Sequence, residues 1–120
     1  MSRYFFDSYA LFEIIYGNEK FKTYAESGGV TTIFNIAELN YGLKKIKTKD
    51  DSDSNTEKFK SAIVRVEWED IINAMDLKSK MRFLSIPDAI GYTVAKRMNI
   101  QFLTGDDDFK DLPNVELVKK

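Results

Sequence analysis

Residues 85–106 read SIPDAIGYTVAKRMNIQFLTGD. Ser85 with Pro87 two residues on marks a helix start, because a proline's missing N–H leaves nothing unpaired in a first turn. The helix runs to about Asn99. Ile100 to Thr104 then reads as a short apolar strand, and Gly105-Asp106 turns the chain off its end. A helix leading straight into such a strand is a repeating piece of a parallel sheet with helices on both faces.

The rest of the chain keeps this alternation, and no hairpin signal interrupts it. Arg3 to Asp7 is a first strand, and Ser8 to Tyr16 is a helix with Tyr9, Leu11, Phe12 and Ile15 at helical spacing. Gly17-Asn18 ends it, and Glu19 to Ser27 is a second short helix. Val30 to Thr32 reads as a strand, and Phe34 to Ile46 as a helix with Ile36, Leu39 and Leu43 on one side. Lys47 to Lys58 (KTKDDSDSNTEK) has no apolar residue, so it is expected to be a solvated loop or frayed helix end, and mobile. Ala62 to Val66 is a strand candidate. Glu69 to Phe83 is a helix expected to turn Ile71, Ile72, Met75 and Leu77 inward. Val115 to Val118 is a last strand, reached through the segment Asp107 to Leu112.

Length and composition narrow the chemistry. A chain of 120 residues, 43% hydrophobic, suits one domain (1–120) with one sizeable core. It carries no bilayer-spanning run and no signal-peptide start, so no membrane role is expected. Without cysteine there is no disulfide or thiolate chemistry, which fits a cytoplasmic protein. Without histidine the commonest general base and the commonest zinc ligand are missing. Acid–base or metal chemistry must therefore run on carboxylates, whose oxygens prefer Mg²⁺ or Mn²⁺. A net charge of −1 gives no strong global attraction to nucleic acid, although a local basic patch remains open.

Four acids sit in apolar frames where an element begins or ends: Asp7 after Tyr4-Phe5-Phe6, Glu38 after Ile36-Ala37, Asp88 before Ala89-Ile90, and Asp106 after Phe102-Leu103-Thr104-Gly105. Such a carboxylate is costly unless it is paired, hydrogen-bonded or bound to a metal. In open parallel sheets, ligands bind beyond the carboxyl ends of the strands. Asp7 and Asp106 follow their strands directly, Glu38 lies one or two turns into the next helix, and Asp88 lies in a first turn. All four are expected to face one crevice. Each also has a purely structural reading. Ser85-x-x-Asp88 resembles a capping box, Asn35-x-x-Glu38 offers a cap, and Asp7 and Asp106 suit N-cap positions. Asp50, Asp51 and Asp53 read as a solvated run.

These frames resemble the PIN domain, and most closely the small VapC-type toxin ribonucleases. The resemblance covers nearly the whole chain. It rests on Phe6-Asp7-Ser8-Tyr9-Ala10-Leu11, on Thr32 to Leu43 around Glu38, on Ile86-Pro87-Asp88-Ala89-Ile90, and on Phe102-Leu103-Thr104-Gly105-Asp106-Asp107-Asp108-Phe109. Any one of these motifs is weak, but the four occur in order with each acid intact. The family implies a three-layer α/β/α sandwich around a mainly parallel sheet of four to five strands. It also implies a metal-dependent endoribonuclease. Carried over, Asp7, Glu38, Asp88 and Asp106 are catalytic. Asp7, Asp88 and Asp106 hold Mg²⁺ or Mn²⁺, while Ser8, Thr104 and Asp108 support them.

The resemblance further implies an RNA substrate, a small antitoxin partner and a homodimer. A nuclease of RNA processing without an antitoxin, or a non-catalytic domain that keeps the fold, are the competing readings. A receiver-like phosphoacceptor is more remote, since it needs two acids after its first strand. Two departures stand out. Many relatives carry Arg where this chain has Gly105, so Lys45, Lys96 and Arg97 become candidates for the missing charge. The chain is also slightly short, so the antitoxin-binding helical clip is expected to be reduced to Lys47 to Lys58.

Overall fold

The computed structural model describes residues 4–120. Its elements are β1 (Tyr4–Phe6), α1 (Ser8–Ile15), α2 (Glu19–Ser27), β2 (Gly29–Val30), α3 (Ile33–Lys44), α4 (Lys49–Glu57), α5 (Trp68–Lys80), α6 (Ile86–Arg97), β3 (Gln101–Thr104) and β4 (Val115–Leu117). Arg3, expected to begin the first strand, lies outside the described residues. The strands form one sheet of order β2-β1-β3-β4, and every pairing is parallel. None of the described helices is long and apolar enough to cross a membrane.

Alternation along the strands builds the three layers. Neighbouring side chains on a strand point to opposite faces. Phe5 and Phe102 therefore enter one core, with Ala74 of α5 and Ala89, Ile90, Val94 and Ala95 of α6. Phe6 and Leu103 enter the other, with Ala10 and Leu11 of α1, Phe21 of α2, and Leu39 and Leu43 of α3. All four strand residues are buried, and each such side chain contributes on the order of 2 kcal/mol. The Phe5 and Phe102 rings stack at 5.7 Å, and Phe109 seats against Phe102 at 4.7 Å.

The close approach of α6 to β1 depends on Gly91. A Cβ there would lie 2.8 Å from the Phe5 ring and 3.0 Å from Asn35 Oδ1, so any side chain would push the helix outward. Gly91 is one turn beyond Asp88, and this contact sets the height of that acid over the sheet.

Three expectations are corrected. Lys47 to Lys58 is not a mobile loop but contains a helix, α4. Thr48 caps it by accepting the Asp51 N–H at 3.1 Å. Asp53 ties it to α3 through Lys44 at 3.1 Å and Asn40 at 3.1 Å, and braces it internally through Lys49 at 2.8 Å. Polar side chains here do the work usually done by an apolar stripe. Ala62 to Val66 forms no strand: Lys60–Ala62 is a 3₁₀ turn, and only one bridge, Thr31 to Ile63, reaches the sheet region. Ile72 is exposed rather than inward, because the buried line of α5 is Asp70 and Ala74.

Candidate active site

Asp7 ends β1 and starts α1. Its carboxylate accepts the Ala10 N–H at 2.8 Å, which is an N-cap, and it is 1% exposed. The capping reading is therefore correct for Asp7, but a cap is normally solvated and this one is not. Burial drives its pKa well above the usual carboxylate range. The Thr104 hydroxyl and the Ala10 N–H oppose that shift, and the charges of Asp88 and Asp106 add to it.

Asp88 lies in the first turn of α6. Ser85 caps this helix by accepting the Asp88 N–H at 3.1 Å, so half of the expected capping box is present. The Asp88 pKa is pushed up to about 6, first by burial and then by the charge of Glu38, with Asp106 adding to it. Asp106 follows β3 and accepts the Asp108 N–H at 2.9 Å, capping a 3₁₀ turn. Its own N–H donates to Thr104 Oγ1 at 3.0 Å. Glu38 caps nothing, because Thr32 Oγ1 receives the Asn35 N–H at the start of α3.

The four acids are thus electrostatic neighbours at one edge of the sheet. Asp7 feels Asp88 and Asp106, and Asp88 feels Glu38 and Asp106. Among the described residues, however, no three acids converge closely enough to grip an ion as they stand. Caps hold Asp7 and Asp106 to their own turns. The donor set itself, carboxylate oxygens with hydroxyls and no nitrogen or sulfur, fits a hard divalent cation.

Ser8 and Thr104 are both buried beside Asp7, whereas Asp108 is exposed and reaches the cluster only through its backbone N–H. A polar chain runs under the site. Thr32 Oγ1 donates to Asn35 Oδ1 at 2.7 Å, and Asn35 Nδ2 donates to Ser8 Oγ at 3.4 Å. Asn35 is fully buried. In the sequence it reads only as a possible cap; the Thr32-x-x-Asn35 spacing, with Thr32 as the actual cap, is the signal that could have found it.

The cations named from sequence are engaged elsewhere. Arg97 Nε pairs with Asp70 at 2.9 Å and its guanidinium also donates to Arg65 O at 3.0 Å. Lys45 stands over the Tyr41 ring at 4.5 Å and Lys96 over Tyr92 at 6.0 Å. Gly105 itself is buried against Tyr9, so its turn offers no space for a side chain.

A parallel four-stranded sheet in an α/β/α sandwich, with acids gathered beyond its strand ends, sets the class. The chain belongs to the PIN domain family, which matches residues 4–115. No curated protein matches the chain. Among solved structures, it is similar to a chain of a toxin-antitoxin complex from Klebsiella pneumoniae, with TM-score 0.74 and 20% identity over 97% of this chain and 98% of that one. It is also similar to a chain of VapBC2 from Rickettsia felis bound to a promoter DNA fragment, with TM-score 0.72 and 18% identity over 98% of each. A chain of VapBC-1 from nontypeable Haemophilus influenzae gives TM-score 0.72 and 13% identity, covering 97% of this chain and 96% of that one. At these identities the likeness is one of fold.

Proposed function

We propose that this protein is a Mg²⁺- or Mn²⁺-dependent endoribonuclease and the toxin of a toxin–antitoxin pair. The observation that carries the reading is the mutual repulsion of Asp7, Glu38, Asp88 and Asp106 at the carboxyl edge of the sheet. A fold gains nothing from keeping four acids in mutual repulsion, whereas a divalent cation turns that repulsion into binding.

Asp7, Asp88 and Asp106 would hold the cation, which when bound supplies charge for the scissile phosphate and acidifies a water. Glu38, on α3 and close enough for its charge to act on Asp88, would orient an attacking water or accept its proton. Burial and neighbouring charge raise the Asp88 pKa to about 6 in the metal-free chain, so cation binding there would release a proton as it relieves the repulsion. Thr104, against the Asp7 carboxylate, and Ser8, in the buried polar chain beneath it, fix the orientation of that acid.

The antitoxin reading is supported by the toxin–antitoxin complexes among the similar structures. A groove of about 530 Å³ between α3 and α4 suits such a partner. Ile33, Ile36, Ala37 and Ile63 line it with Asp53 and Glu57, and Ala37 adjoins Glu38. An apolar segment carrying a basic residue would fill it and reach the acids, since Arg pairs well with carboxylates. In this reading α4, which lies within Lys47 to Lys58, serves with α3 as the clip. A homodimer belongs to the same reading, and Trp68 and Ile72, exposed one turn apart on α5, offer an apolar patch for it. Incubation of the purified chain with RNA in Mn²⁺ or EDTA tests the activity. A small neighbouring reading frame whose product co-purifies and inhibits tests the toxin role.

A further inference from the structure

The geometry points to Lys119 as a phosphate-gripping residue of this site, and the assignment rests on the ribonuclease reading above. All four strands are parallel, so the end of β4 emerges on the same edge as Asp7 and Asp106. Thr104 pairs with Leu117, which brings Asp106 and Lys119, each two residues further on, to about the same level.

The tail is held in place there. Val118 N–H donates to Thr104 O at 2.8 Å, Lys20 Nζ donates to Lys119 O at 3.2 Å, and Tyr24 hydroxyl donates to Glu116 at 2.8 Å. Lys119 Nζ then reaches back to the turn before Asp106, donating to Gly105 O at 3.1 Å and pairing with Asp107 Oδ2 at 3.0 Å. An ammonium has three donors, so one is left for an incoming oxygen. The Asp107 pair is open to water, with side chains 55% and 65% exposed. Such a pair contributes little and is readily exchanged for a phosphate.

An edge built of acids repels a polyanion. The Tyr9 ring excludes a side chain at Gly105, and Arg97 is spent on Asp70. Lys119 brings a positive charge to that edge from outside the acid-bearing elements. Its role is to hold the RNA backbone beside Asp106, and it takes no part in proton transfer.

The test is binding of a labelled single-stranded RNA oligonucleotide to the full chain in EDTA across a salt series. Lys119→Met is expected to weaken binding roughly fivefold near 0.1 M salt and to lower the slope of log K against log salt by about 0.7, the loss of one phosphate contact. Lys119→Arg should keep both, and Lys96→Met, in the last turn of α6 and at the opposite end of that helix from Asp88, should change neither. Where binding needs Mn²⁺, the KM of cleavage reads the same contact: Lys119→Met raises KM and leaves kcat nearly unchanged. An unchanged slope, or an unchanged KM, overturns the assignment, whereas a purely structural role would lower the Tm alone. If the unaltered chain neither binds nor cleaves RNA, the ribonuclease reading falls and this one with it.

Discussion

The Tyr9 ring lies flush against the backbone of Gly105, where a Cβ would fall 2.1 Å from the ring. The ring is backed by Phe21 at 6.2 Å. Tyr9 belongs to the first turn of α1, directly after Asp7, and Gly105 directly precedes Asp106. This one contact therefore joins the two acid-bearing turns and sets how closely they approach.

Gly105→Ala should accordingly destabilise the fold by about 1–3 kcal/mol, the usual cost of overpacking. In a Tyr9→Ala background the same change should be nearly neutral, because the obstructing ring is gone. Urea denaturation of the four proteins in a double-mutant cycle measures the coupling. Additive effects would mean that the contact is not the constraint.

The raised acids make a pH prediction. Asp7 and Asp88 have folded values above the ordinary 3.8, so the folded chain keeps protons that the unfolded chain releases. The sign follows directly: without metal, the contribution of these two acids to stability is fully present below about pH 3.8 and, for Asp88, is lost as pH rises through about 6. The two units between those values correspond to at most roughly 3 kcal/mol. Asp88→Asn should therefore raise the Tm at pH 7 in EDTA and change it little at pH 4. A variant no more stable than the unaltered chain at pH 7 would sink the idea.

Binding at this site relieves the same strain. Mn²⁺ should raise the Tm of the unaltered chain by mass action, and Asp7→Asn should lose most of that rise. Asn also caps a helix, so α1 should persist in the variant, as circular dichroism would report. An equal Mn²⁺ response in both proteins would move the ion elsewhere.

Asp70 is 2% exposed and depends on Arg97. Arg97→Met would leave a buried charge with only the Glu67 N–H, 2.8 Å away, among its present side-chain hydrogen bonds. A loss of about 2–3 kcal/mol is expected in thermal or urea unfolding. RNA affinity per folded molecule should not change, since this pair lies away from the acids. A drop in affinity at full folding would return Arg97 to the phosphate candidates.

The sequence revealed the parts of the fold where local and global signals agree. Glu19–Ser27 appears as expected because Asn18 caps it and glycines end it. The helix opened by Ser85 and Pro87 ends beside Asn99, which adopts a left-handed φ of 57°. The Asp7 and Asp106 turns were legible because each ends an apolar strand. What failed to show was set by tertiary contacts. The helix at Lys49–Glu57 has no apolar stripe and leans on Asp53 pairs with residues of another helix. Asp70 looks like any surface acid until Arg97 is brought to it. Lys119 is 13 residues beyond Asp106, and only the parallel register of β3 and β4 makes them neighbours.

The most direct measurement is cleavage of RNA by the purified chain with Mg²⁺, Mn²⁺ or EDTA, run beside Asp7→Asn and Asp88→Asn. The account predicts cleavage with either metal, none in EDTA, and loss in both variants while their melting curves stay cooperative. Cleavage that persists in EDTA, or an Asp88→Asn protein as fast as the unaltered one, would contradict it.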